Sequence, residues 1–426
     1  MLRYFIRVQP SMLLTLTLCV CSMVMSSTSS AESVSELNAR GVEYYKAKKY
    51  EKALQDFQRA FRVDPSDKTI QSNLTNAALL YSQELFNKGD TEDAIDWLEY
   101  IIKIDPKNIK PLNQLGAFLI FEGEIAAAIF RLEESIEIMP KDLDAHFLLG
   151  EAYHKDNDVT AAIDQWEWIY KVDKDYPGLM NRLETALREE QIEYDFEGDR
   201  SRNFQVTYSK DAEETIVGDV LRILEAAYRN VGKSLGGVYP PSPIQVSLYT
   251  YEGFFESTQQ GEHVSALYDG TKIRCPVIDK SGEIVELKDL EKRLTHEYVH
   301  VAVRHVARQN IPWWYNEGLA ETLSGDLTAS EKKLLTLALK RQAIFSFGDI
   351  TPLNVLETFS KDELAIAYAQ SHAAVELLKN KYGERRHAFM LQHLRRGLDA
   401  EEALKKTYRI NYRTLESRLN SMINQF

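Results

Sequence analysis

The sequence predicts a multidomain chain: an all-α repeat solenoid over residues 35–190, then an α+β domain over residues 204–426. Three observations carry that expectation. Similar blocks recur from about Ser35 to Glu190, most of them 34 residues apart. At Phe204 the period changes, and Phe204-Gln205-Val206-Thr207-Tyr208 alternates like a strand. From Glu286 onward apolar residues recur at helical spacing almost to the C-terminus. At 426 residues the chain is too long for one ordinary domain, and with 44% hydrophobic residues it has the apolar material for a sizeable core.

The first 31 residues have the order of an export signal. Arg3 and Arg7 give a positive start, Ser11 to Met25 is almost wholly apolar, and the small, polar run Ser26-Ser27-Thr28-Ser29-Ser30-Ala31 follows. Cleavage after Ala31 would put Ala31 and Ser29 at the small-residue positions. The apolar run is short of the roughly 20 residues that span a bilayer. Retention as an uncleaved anchor is the alternative, and the only membrane association expected. Cys19 and Cys21 follow Leu18 and Val20, where lipidation wants a small residue. The mature chain then keeps only Cys275 and cannot form an intramolecular disulfide. An exported, periplasmic or cell-envelope location is expected. The formal charge is -13, or -15 without the first 31 residues, so nucleic acid is not an expected partner.

Within residues 35–190, Pro65, Pro106 and Pro140 end similar blocks. Small residues recur at Ala53, Ala94, Ala128 and Ala162, each followed four residues later by a large one: Phe57, Leu98, Leu132 and Trp166. Gly41, Ser82, Gly116 and Gly150 hold an earlier small position, with Tyr44, Leu85, Leu119 and Tyr153 three residues on. The pattern resembles the tetratricopeptide repeat, a helical hairpin whose small residues let paired helices approach. It implies four repeats and a closing helix from Pro177 to Glu190. The first two prolines are 41 residues apart, which places seven extra residues at that junction. Trp166 and Trp168 read as packing. Stacked hairpins build an extended concave face, so protein partners are expected there.

Residues 191–203 are polar and read as a linker. A strand at 204–208, a helix at 212–235, a strand at 244–249 and a short helix at 252–259 follow. Residues 264–268 and 272–278 flank Asp269-Gly270, a hairpin signal. Helices are then expected at about 286–308, 316–323, 329–342, 361–382, 384–396, 400–408 and 412–424.

The chemistry centres on Leu294-Thr295-His296-Glu297-Tyr298-Val299-His300. On a helix, His296 and His300 share a face and can offer two imidazoles to one zinc ion, with Glu297 one step round. A catalytic zinc takes three protein ligands and leaves one position open, so a third must come from elsewhere. Asn316-Glu317-Gly318-Leu319-Ala320-Glu321 supplies Glu317 and Glu321 on one helical face. Together these motifs resemble the gluzincin zinc metallopeptidases, and more closely the peptidase-MA-like domains, over roughly residues 204–390. The resemblance implies one zinc per chain held by His296, His300 and Glu317, with Glu297 as general base. Glu321 would fix a histidine ring through its second nitrogen. The metzincin pattern fails, since it needs glycine at 303 and histidine at 306 and this chain has Val303 and Val306.

Related enzymes supply an oxyanion donor from a later helix. Tyr368 is the first candidate here and His372 the second. They also hold an extended peptide on an edge strand. Ile273, Arg274 and Cys275, between the Asp269-Gly270 turn and Pro276, fit that edge, because proline favours edge strands. His305 points off the metal face. His387 and His393 lie among Arg385, Arg386, Arg395 and Arg396, a basic helix face able to meet the acidic repeats.

The leading expectation is an exported zinc endopeptidase whose repeats recruit protein or peptide substrates, or partners. A non-catalytic repeat scaffold or chaperone of the cell envelope, with a structural or vestigial metal site, is the alternative. A latent enzyme gated by its own repeats is a third.

Overall fold

The computed structural model describes residues 32–210, 214–261, 264–308 and 310–426. The leader and the cleavage after Ala31 lie outside the described residues. No described helix is long and apolar enough to cross a membrane.

Four helical hairpins stack in order: α1 (Val34–Lys46) with α2 (Tyr50–Val63), α3 (Lys68–Lys88) with α4 (Thr91–Ile104), α5 (Ile109–Glu122) with α6 (Ile125–Ile138), and α7 (Leu143–Lys155) with α8 (Val159–Val172). The closing helix α9 (Leu179–Glu193) covers the last pair. Ser33 and Glu36 form a capping box on α1, and Asp67, Asn108 and Asp142 cap α3, α5 and α7 through their side chains. Gly41, Gly116 and Gly150 each face a large residue 16 positions on. A Cβ added at Gly150 would come within 2.3 Å of the Trp166 ring, so only glycine admits that indole. Trp166 is buried, as the packing reading requires. The seven extra residues of the second block lie inside α3, not at the junction. This helix has 21 residues where α1, α5 and α7 have 13 or 14. Seven residues are about two turns at 3.6 per turn, so the helix grows without rotating its buried face.

Five strands follow in a mixed sheet of order β1-β2-β3-β5-β4: β1 (Glu197–Arg200), β2 (Phe204–Tyr208), β3 (Ile244–Tyr249), β4 (Leu267–Tyr268) and β5 (Ile273–Pro276). The β2–β3 and β3–β5 pairs are parallel, while β1–β2 and β4–β5 are antiparallel. Helix α10 (Glu214–Ser234) crosses from β2 to β3, and α11 (Tyr251–Thr258) follows β3. Strand β1 falls within the stretch read as a linker. All four of its residues are exposed, so they show no apolar alternation. Its turn is held by polar bonds instead: Glu225 accepts from the Ser201 hydroxyl and from both the backbone and side chain of Asn203.

The helical lobe comprises α12 (Leu287–Ala307), α13 (Trp313–Ser324), α14 (Ala329–Lys340), α15 (Val355–Thr358), α16 (Lys361–Tyr382), α17 (Arg386–Arg395), α18 (Ala400–Tyr408) and α19 (Tyr412–Ile423). One continuous core joins the sheet to this lobe, with Leu290, Leu294, Tyr298 and Ala302 of α12 at its centre.

The solenoid lies against this second unit along the edge formed by its hairpin turns. Gly89, Gly123 and Asn157 occupy equivalent left-handed turn positions, with φ of 86°, 83° and 65°. Near the first, the α3–α4 turn meets the turn between α17 and α18, where a Cβ at Gly397 would come 2.8 Å from the Lys88 carbonyl. Arg395 and Arg396 share a cavity there with Asp90, Glu92 and Asp93. Beside the second turn, Arg308 pairs with Glu122 and donates to the Thr91 hydroxyl. At the third, Asn157 accepts from Lys272. The basic stretch around α17 is thus partly a docking surface. His387 is no part of a solvated face: it is buried, and its Nδ1 lies 2.8 Å from the Tyr315 hydroxyl and 3.0 Å from that of Tyr408.

Candidate metal centre

Helix α12 presents His296 and His300 one turn apart, their ring centroids 4.9 Å from each other. Helix α13 brings Glu317 against them. The chain reaches that position because Pro312 starts the helix without needing a donor and Trp313, Trp314 and Tyr315 are buried. The Nε2 atoms of His296 and His300 each lie 3.6 Å from Oε2 of Glu317. That is beyond hydrogen-bond length. Ligand atoms about 2.1 Å from one tetrahedral zinc stand about 3.4 Å apart. The three groups therefore have the spacing and chemistry of a zinc ligand set, and their donor atoms lie within 4.8 Å of one another.

The electrostatics agree with a cation site. Burial pushes the His300 imidazole down, but the adjoining Glu317 carboxylate outweighs it and the result is about 9. Glu317 responds in kind: burial raises its carboxyl, and the two histidines hold it well below the ordinary range. Oε1 of Glu321 lies 3.6 Å from His296 Nδ1, the ring nitrogen turned away from Glu317, and Lys292 sits 3.2 Å from its other oxygen.

Glu297 is buried on the adjoining face of α12 and accepts the Tyr268 backbone N–H at 2.7 Å. Tyr368, on α16, packs edge-on against Trp313 with 5.0 Å between ring centroids. Burial raises its phenol well above the usual range, and the negative charges of Glu317, Glu297 and Glu321 raise it further. Gly318 lets α16 approach: a Cβ there would come 2.4 Å from the Ser371 carbonyl. His372, the second oxyanion candidate, adjoins this centre through Glu321. It is buried, 2.9 Å from Glu331, and forms a second cluster with Glu321 and Glu331. Glu331 is also committed to the Thr328 cap of α14.

The substrate-edge expectation for Ile273, Arg274 and Cys275 is corrected. Strand β5 lies between β3 and β4, and all three side chains are buried. The outer strand is β4. It pairs only with Ile273 and Arg274, so Pro276 lies past its end and its missing donor reveals nothing about the rest of β5. Cys275 is fully enclosed, and burial pushes its thiol up to about 12. The Tyr268 backbone and Lys292 were not anticipated from sequence. Lys292 could have been, since Lys292, His296 and His300 follow one another at four-residue steps on one helix face.

Residues 283–425 match the Peptidase MA superfamily, and residues 34–67 and 122–170 match tetratricopeptide repeats. The first match takes in both metal-site helices and extends past residue 390, while leaving the sheet outside. Anaphase-promoting complex subunit 3 of Dictyostelium discoideum is 36% identical over 78 residues, which is 18% of this chain and 8% of that protein's length. Among solved structures, a thermophilic TPR protein of Thermus thermophilus is 18% identical over 36% of this chain and 99% of its own, with a TM-score of 0.23. The TPR domain of P58(IPK) is 12% identical over 88% of this chain and 78% of its own, with a TM-score of 0.25. At these scores the likeness carries no argument about function.

Proposed function

We propose that this chain, with its Peptidase MA superfamily domain at residues 283–425 and tetratricopeptide repeats before it, is an exported zinc-dependent endopeptidase of gluzincin type. The observation that carries the reading is the convergence of His296, His300 and Glu317 at ligand spacing beside Glu297. These three residues would hold one zinc ion, which when bound supplies an acidified water and polarises the scissile carbonyl. Glu297 takes the proton of the attacking water and delivers it to the leaving amine. Glu297 also accepts the Tyr268 backbone N–H, a contact that ties it to β4. The Tyr368 phenol, kept protonated by burial and by the negative charge of the site, is the candidate donor for the developing oxyanion. Glu321 orients His296 through its outer nitrogen. Strand β4, outermost on that side of the sheet, is the candidate for the peptide-pairing role first assigned to β5, with its Tyr268 N–H already taken by Glu297. The positive start, apolar run and small-residue site of residues 1–31 support export to the periplasm or cell envelope, with cleavage after Ala31. The repeats support recruitment of protein substrates or partners.

The test is Glu297→Gln in the purified mature chain. Metal analysis should find one zinc in wild type and variant alike, while peptide hydrolysis falls by a factor on the order of 100 to 10,000. Wild type without stoichiometric zinc, or undiminished hydrolysis in the variant, would overturn the reading.

A further inference from the structure

The end of the solenoid is joined to the neighbourhood of Glu297 by a buried ion-pair network that the reaction itself does not use. Lys272, in the β4–β5 turn, is 1% exposed. Its ammonium has three donors, and three partners from the repeat region surround it: Glu189 at 2.6 Å, Glu193 at 2.7 Å and Asn157 at 3.0 Å. Arg274 on β5 reaches the same two carboxylates, Glu189 at 2.8 Å and Glu193 at 3.1 Å, and turns its Nε to Asp269 at 2.6 Å. Asp269 in turn accepts the backbone N–H groups of Thr271 and Lys272. The turn is therefore fixed from within by Asp269 and from outside by α9.

Strand β4 cannot hold itself in place. It has two residues and two register partners, and a short hairpin is marginal in water without further support. Yet its Tyr268 N–H is the donor to Glu297. Burying two cations is costly unless they are paired, and both carboxylates that meet Lys272 and two of the three that meet Arg274 come from α9.

We propose that α9 is a positioning element for the metal centre: Glu189 and Glu193, acting through Lys272 and Arg274, set where β4 lies relative to Glu297. Lys272, Arg274, Glu189 and Glu193 are positioning residues that touch neither metal nor substrate. The repeats are then a working part of the site, and an α9 displaced by a partner would loosen the strand on which a peptide is held. This rests on the peptidase reading for its consequence in turnover, but its geometry can be tested without it.

The experiment compares the full mature chain with Glu193→Gln, which leaves Lys272 and Arg274 opposite Glu189 and Asp269 and so keeps opposite charges paired. Amide hydrogen exchange is followed by mass spectrometry in peptides covering residues 264–278 and, separately, α12. Metal content and kcat/KM on a long unstructured peptide are measured on the same samples. The expected result is exchange about tenfold faster in the hairpin, unchanged protection in α12, one bound metal, and kcat/KM lower by about tenfold or more. A Lys272→Met, Glu193→Gln double variant should lose no more than the worse of the two single variants, because the residues act as one unit. It serves as the primary variant if Glu193→Gln does not fold. Unchanged hairpin exchange overturns the proposal, as does equal loosening of hairpin and α12, which marks a merely structural network. If wild type hydrolyses no peptide, the peptidase reading has failed, and hairpin exchange alone still decides the proposal.

Discussion

Gly318→Ala tests whether the approach of two helices sets the geometry of the metal centre. The added Cβ would lie 2.4 Å from the Ser371 carbonyl oxygen and 2.5 Å from the nearest Val375 methyl. The carbonyl belongs to the middle of α16 and cannot rotate away, so α13 and α16 must part by about 1 Å to restore an ordinary contact. Overpacking of this kind costs about 1–3 kcal/mol. Replacing a helical glycine returns up to about 1 kcal/mol in propensity. With the full return the net loss is up to about 2 kcal/mol, or a Tm lower by up to about 8 °C for a unit of this size. The displacement falls directly on function, since Glu317 precedes the substituted residue and α16 carries Tyr368. A shift of about 1 Å costs up to about 100-fold in rate. Circular dichroism melting and kcat/KM on the same preparation read both effects. Gly218→Ala is the control, because that exposed α10 glycine has nothing within 4 Å of its Cβ position. It should stabilise by about 0.4–1 kcal/mol. A Gly318→Ala protein that melts like wild type and hydrolyses peptide at the wild-type rate would refute the reasoning.

Two further outcomes follow from buried groups. Cys275 is enclosed and its thiol raised to about 12, so a thiol reagent should label none of the native mature chain and one group per chain in guanidinium. Labelling at equal rates in both would show the strand open to solvent. Burial, with a smaller push from Lys379, lowers the His387 imidazole from 6.5 to about 3. The unfolded chain takes up this proton and the folded chain refuses it, so stability is lost as pH falls from 6.5 towards 3. Wild type should lose its advantage over His387→Gln by about 1.4 kcal/mol for each pH unit in that window, measured by urea unfolding. A constant gap would show that His387 is not held neutral.

The repeats were legible because their signal is redundant. Four blocks state the same small-then-large spacing, and the structure pairs Gly150 with Trp166 as that spacing requires. The metal centre was legible for a similar reason, since His296 and His300 share a helix and Glu317 is only 17 residues on. What the sequence hid was pairing between distant segments. Alternation identifies β5 as a strand but says nothing about which strands flank it, so Ile273, Arg274 and Cys275 were placed at an edge that belongs to β4. Lys272 and Arg274 were hidden more deeply. A charged residue in a hairpin normally reads as solvated. These two are buried against Glu189 and Glu193, which arrive from 79 to 85 residues earlier; Glu189 read as the polar end of a closing helix and Glu193 as linker, whereas α9 continues through Glu193. Strand β1 was missed for the opposite reason, being exposed on every residue.

The docking geometry also separates two surfaces of the solenoid. The turns near residues 89, 123 and 157 recur at the repeat period, so a stack of identical hairpins presents them along one edge. That edge, with α9, is the part committed to the second unit through Gly397, Arg308 and Lys272. The inner face is built from the first helices, and there Lys110, Asn113 and Gln114 of α5 line an open groove with Asp144 and Phe147 of α7. None of these residues pairs with the second unit through any described hydrogen bond or salt bridge. A protein segment in the groove would therefore not compete with docking for side chains. It would instead lie on the same short stack that ends in α9, two helices from Glu189 and Glu193. Helices α5 and α7, which line the groove, and α9, which meets Lys272 and Arg274, thus belong to one continuous stack of packed helices.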